Sequence, residues 1–155
     1  MRHCKVSEIK KKLYSICLEQ VEERIENLHT EMSALKESAE SDTKSSMGDK
    51  YETGREMINL EKGKIDQQLG EAVKARQLLR SLELDRSAEI CGLGSLVTTS
   101  TAAYFIATSM GKFSVEGQDY FVISPMSPIG QQLLNKRKGN TITFAGRQSE
   151  IKSVS

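Results

Sequence analysis

The chain has 155 residues, of which 37% are hydrophobic, 28% charged and 5% aromatic, with no tryptophan. That allows one domain or two small ones, with a thinner core than a compact globule of this length would carry. A formal charge of +1 gives no bulk electrostatic argument for nucleic acid. No apolar run approaches the ~20 residues that cross a bilayer, and the start lacks the apolar stretch of a secretory signal, so the expectation is a cytoplasmic protein with no membrane partner.

The first element predicted is a long helix from about Ser7 to Ser41. Ser7 is the expected N-cap, with Glu8 in the first turn. No Gly or Pro occurs in the first 47 residues. Tyr14, Leu18, Val21, Ile25, Leu28, Met32, Leu35 and Ala39 alternate by four and three, an unbroken heptad seam. Such a helix would be on the order of 50 Å long, and one seam of that length requires a partner. The chain supplies one by returning from about Asp49 to Asp85, where Tyr51, Ile58, Ile65, Leu69, Ala72 and Leu79 make a looser seam. Similar arm lengths, and a polar interruption with a Gly between them, favour an antiparallel hairpin within one molecule. An intermolecular coiled coil is the rival.

Lys10, Lys11 and Lys12 form a basic run near the hairpin base. It reads either as a solvated face or as a contact to an acidic partner there. Cys4, Cys17 and Cys91 are odd in number and match no metal spacing, so free buried thiols are expected. His3 and His29 lack companion ligands and read as surface residues. At the turn, Ser46-Met-Gly-Asp49 fits a capping box, with Ser46 as N-cap and Asp49 reciprocating. Gly54, Gly63 and Gly70 each weaken the second arm by roughly 1 kcal/mol relative to Ala. They mark either close approach of the arms or a place where this arm bends or frays.

From about residue 88 the pattern changes. Cys91-Gly-Leu-Gly-Ser95 is a turn-forming junction. Leu96–Thr99 and Ala102–Ala107 read as strands, and Phe113, Val115, Tyr120, Val122 and Ile123 as one or two more around Glu116-Gly117. Ser127 caps a short helix that Pro128 opens and that runs to about Asn135. Thr141–Phe144 and Glu150–Val154 close a hairpin about Ala145-Gly146. Residues 1–87 are therefore expected to form the helical hairpin, with its tip at about 40–52, and residues 88–155 a small α+β domain. The Lys136-Arg-Lys138 cluster is either a solvated loop, the favoured reading, or a contact to a partner. No nucleophile constellation, P-loop or zinc spacing occurs, so no enzymatic activity of its own is expected.

Ser127-Pro-Ile-Gly-Gln-Gln-Leu-Leu-Asn-Lys-Arg-Lys-Gly-Asn-Thr-Ile142, with Ile123-Ser-Pro-Met ahead of it, resembles the C-terminal signature of the Gre-type bacterial transcript-cleavage factors. Asn135 stands where that family usually has Gly, and Asn140 where it usually has Asp. A long coiled coil ahead of the domain is similar to the family's architecture, so the resemblance spans nearly the whole chain. It implies an FKBP-like C-terminal domain that docks on RNA polymerase, for which Ser127, Pro128, Ile129 and Lys136 are the candidate contacts. It also implies a monomer that pushes its coiled coil down the secondary channel. Nucleic acid would be met only within the polymerase complex. Two tip carboxylates would help hold an Mg²⁺ supplied by the polymerase, with no cofactor of the chain's own. One or two carboxylates with several waters is how Mg²⁺ is commonly bound.

The tip departs from the family. Gly48-Asp49-Lys50-Tyr51-Glu52 reproduces its Gly-Asp-x-x-Glu, but Thr53-Gly54-Arg55 replaces the family's Asn-Ala-Glu-Tyr. Asp49 and Glu52 are the candidate metal-facing carboxylates, with Asp42 the reserve in a different register. The resemblance includes members that occupy the channel without stimulating cleavage, so a non-cleaving regulator is an alternative. A coiled-coil assembly protein is the alternative of a different class.

Overall fold

The computed structural model describes the backbone of residues 2–45, 49–85 and 88–155, and the side chains of residues 8–40, 53–85 and 88–155. The protein is α+β, a helical hairpin followed by a mixed sheet. Helix α1 spans Arg2–Ser45 and α2 spans Asp49–Arg80. The first correction is at the start: α1 begins at Arg2, so Ser7 is inside the helix and is not its cap. No helix breaker stands between Arg2 and Ser7, and an interior serine costs only a few tenths of a kcal/mol. The Ser46 cap lies outside the described residues. Helix α2 stops at Arg80, five residues before the expected end. There Ser81 Oγ donates to the Leu78 carbonyl at 2.6 Å, and Ser81 and Leu82 N–H groups take tight three-residue bonds to Leu78 and Leu79.

Residues 19–77 form one compact unit. Val21, Ile25, Leu28, Ile65 and Ala72 are buried in it. The unit holds only spans of α1 and α2, so each helix is what covers the other. Met32, Leu35, Ala39, Ile58 and Leu69 continue the two seams half-buried. Nearer the start of α1 the burial departs from the predicted heptad. Leu13 and Cys17 are fully buried, while Tyr14 and Leu18 are only half-buried. The steps 13, 17, 21, 25 are all of four residues, so the inward stripe drifts around the helix relative to a strict heptad.

Residues 1–18 and 78–155 form the second compact unit. Its strands are β1 (Leu96–Thr99), β2 (Ala103–Ile106), β3 (Gly111–Val115), β4 (Gln118–Ile123), β5 (Thr141–Phe144) and β6 (Arg147–Val154), with helix α3 at Pro128–Leu133. Their order in the sheet is β3-β4-β2-β1-β6-β5. Strands β2 and β4 pair in parallel, and every other neighbouring pair is antiparallel. The β3–β4 and β5–β6 turns carry the left-handed pairs Glu116-Gly117 (φ 52° and 80°) and Ala145-Gly146 (φ 53° and 78°). Two successive positive φ values are what tight hairpins require.

Strand β6 is longer than predicted because it serves two neighbours. Its first half, Arg147–Glu150, pairs with β5, and Ile151–Val154 pairs with β1 across a bulge at Thr98/Thr99. Thr99 Oγ1 accepts from the Ala102 N–H, and Ser100 Oγ accepts from the Glu150 N–H at 3.1 Å, so hydroxyls satisfy the backbone where the ladder slips. The core cluster of this unit is Cys91, Val97, Ile106, Ile129, Leu133, Ile142 and Ile151. Helix α3 supplies two of those side chains, which is how a six-residue helix is held in place.

Candidate functional site

The segment from Ser124 to Asn140 is organised by hydrogen bonds that its own residues dictate. Ser127 has extended φ and ψ (−67°, 158°), and its Oγ accepts the Gly130 N–H at 3.1 Å. The same hydroxyl donates to the Ser124 carbonyl at 2.6 Å. Ser124 Oγ accepts the Met126 N–H at 3.1 Å, so two serines staple the loop to the helix they precede. Pro128 follows as the first helical residue, a position where its missing N–H costs nothing. Gly130 is required by packing. A Cβ there would run into the Ser124 carbonyl oxygen and stand 2.9 Å from Pro125 Cα.

Asn135 is left-handed, with φ 65°. Its N–H bonds the Cys91 carbonyl at 3.0 Å, and the Cys91 N–H bonds the Lys136 carbonyl at 2.8 Å. Asparagine is the side chain that best tolerates this conformation after glycine. Asn140 Oδ1 accepts the Arg137 N–H at 2.8 Å.

The four candidate docking residues do not present themselves alike. Ile129 is 7% exposed and belongs to the core, and the Ser127 hydroxyl is occupied by capping. Pro128 is exposed and Lys136 half-exposed. Met126 is 77% exposed, a large apolar side chain at the head of the helix that the sequence pattern did not single out. Phe121 on β4 is 37% exposed and meets Tyr104 of the parallel neighbour β2 with ring centroids 5.9 Å apart. The signal for that pair lay in the register Tyr104↔Phe121, which no single strand pattern reveals. Arg137 and Lys138 are exposed.

The three lysines near the start of α1 are not one solvated face. Lys10 is 3% exposed, and burial holds its ammonium below the ordinary lysine range. Lys12 Nζ donates to Glu116 Oε1 at 2.7 Å, which raises the lysine's pKa. Lys11 stands 3.6 Å from an Asp85 carboxylate oxygen. Lys11 and Lys12 therefore each meet an acidic side chain of this chain. Cys17 and Cys91 are free and buried, and loss of water pushes both thiols up to about 11. His29 is exposed, while the side chains of Cys4 and His3 lie outside the described residues.

The candidate tip carboxylates Asp42, Asp49 and Glu52 also have side chains outside the described residues. Their backbone is helical, Asp42 in α1 and the other two in the first turn of α2. Among the described residues no group of three His, Cys, Asp or Glu side chains could hold a metal ion, and no helix is long and apolar enough to cross a membrane.

No protein-family model matches the chain, and no curated protein matches it in sequence. Among solved structures the chain is similar to that of the transcription factor Gfh1. The identity is 21% and the TM-score 0.33, over 88% of this chain and 90% of that one.

Proposed function

We propose that this protein is a Gre-like elongation factor. Its sheet domain, of FKBP-like type, binds RNA polymerase, and its hairpin enters the secondary channel as a monomer in the cytoplasm. There it promotes cleavage of backtracked transcripts by the polymerase's own active site. The chain contributes carboxylates at the tip, Asp49 and Glu52 with Asp42 in reserve, toward an Mg²⁺ that the polymerase supplies. It performs no chemistry alone.

The observation that supports this reading is the Ser127-Pro-Ile-Gly130 turn. Ser127, Pro128, Ile129 and Gly130 each have a structural task there, and Asn135 and Asn140 fill places that Gly and Asp, the residues of the Gre signature, could also fill. A long helical hairpin spans tens of ångströms at about 1.5 Å per residue, which suits delivery of a carboxylate from its tip. The test is a stalled elongation complex mixed with the purified protein. Transcript shortening is expected with the wild type, and Asp49→Ala/Glu52→Ala should lose it by at least tenfold while still co-purifying with polymerase. Equal shortening by the variant rejects these two carboxylates. Failure to co-purify rejects the whole reading and leaves the assembly-protein alternative.

Thr53-Gly54-Arg55, in place of the family's residues after the second acidic position, favours a second reading: a channel-occupying regulator that does not stimulate cleavage. In that case the wild type binds polymerase and changes pausing or initiation, and transcripts in the stalled complex keep their length.

A further inference from the structure

We infer that the second arm of the hairpin is its compliant element, opening locally between Gly54 and Gly70 while the first arm stays helical. Helix α2 carries three interior glycines in 32 residues, whereas the 44 residues of α1 carry neither Gly nor Pro. Glycine in a helix interior normally has one of two structural excuses. One is a close approach that a Cβ would block, yet at Gly54, Gly63 and Gly70 an added Cβ meets nothing within 4 Å. The other is a left-handed backbone, and none of the three has positive φ. What remains is their effect on the helix itself: each makes local opening easier by on the order of fivefold relative to alanine, through backbone entropy and exposed peptide groups.

Packing does not offset this. Between residues 53 and 70, Ile65 is the one buried side chain among those described. Lys62, four residues from Ile58 and three from Ile65 along the inward stripe, is half-buried. Met57 and Leu60, the large apolar residues nearby, are 65% and 63% exposed, so they hold nothing down. Low burial together with solvated backbone hydrogen bonds is the physical signature of a segment that opens below the global unfolding free energy.

Amide hydrogen exchange on the full chain tests this without any polymerase, so its outcome is separate from that of the proposed function. Amides of residues 54–70 should exchange at least tenfold faster than those of α1 between Val21 and Leu35. Gly63→Ala/Gly70→Ala should slow the α2 amides by on the order of tenfold or more and leave the α1 amides within about twofold. Equal exchange in the two arms of the wild type overturns the inference, because it means the hairpin opens as one piece. So does a variant whose α2 amides exchange as before. Circular dichroism of the variant checks that helix content is kept; a loss of helix also counts against the inference, since alanine should only add to it.

Discussion

At the scale of single residues, Gly130 is the position where the fold tolerates least. Its missing side chain lets the Ser124-Pro125 backbone lie against the first turn of α3. Gly130→Ala should destabilise the sheet domain by about 3 kcal/mol or more, since the atom it meets is backbone and cannot rotate away; urea unfolding followed by near-ultraviolet circular dichroism measures it. The buried thiols give a second residue-scale prediction. Cys17 and Cys91 titrate at about 11 when folded, against an ordinary value of 9.0. The folded state therefore holds its thiol protons more tightly than the unfolded state, so the unfolded state binds fewer between those values. Stability should be flat below about pH 9 and fall from there to about pH 11, by at most ~1.4 kcal/mol per pH unit for each thiol. Tyr104 and Tyr120, also raised by burial, act in the same direction. Lys10 acts in the opposite one, because its folded value is lowered and stability is gained as pH rises through it. Comparing the pH slope of wild type and Cys91→Ala isolates one thiol: the slope should shrink by up to one proton.

At the scale of elements, the sequence showed most where one local rule decides. Leu96–Thr99 and Thr141–Phe144 match their strands residue for residue, because β-branched runs between turn formers have few alternatives. Ser127 and Pro128 announced the start of α3 for the same reason. The β5–β6 turn supplies a test of that logic. Ala145 has φ 53°, which a Cβ disfavours by roughly 1–2 kcal/mol. Ala145→Gly should therefore raise stability by up to about 1 kcal/mol, the entropy of the new glycine in the unfolded chain taking back part of the relief; thermal unfolding at neutral pH reads it. What was not legible came from partners distant in sequence. Leu13 and Cys17 displaced Tyr14 and Leu18 from the inward stripe, and Lys10 was buried beside them, because burial near the start of α1 follows tertiary packing and not the heptad count. The full length of β6 was hidden too, since Arg147–Ser149 alternate poorly and adopt strand geometry only by pairing with β5.

At the scale of the whole molecule, the α+β class with a helical hairpin was readable from periodicity alone, since 3.5-residue spacing gave way to short strand runs near residue 88. The candidate site was less so. The signature around Ser127 marked a structural joint, but Ile129 within it is core and Met126 beside it is surface, a distinction that needs the third dimension. The proposed metal role of the carboxylates at residues 42, 49 and 52 belongs to the proposed complex with RNA polymerase. The stalled-complex experiment addresses it at that level, where binding and shortening are scored separately.

Strand β6 lies between β1 and β5, with the Leu96 and Ser155 backbones exchanging hydrogen bonds of 2.8 and 3.0 Å. During synthesis, then, β1 leaves the ribosome roughly fifty residues before the neighbour that completes it. Until that neighbour emerges, β1 is a bare edge with Leu96 and Val97 awaiting cover, a state open to chaperones and to mispairing with another nascent chain. The unit of residues 19–77 has no such delay, because both its arms precede the sheet. Biogenesis should thus run in two stages, residues 19–77 folding early and the sheet closing last.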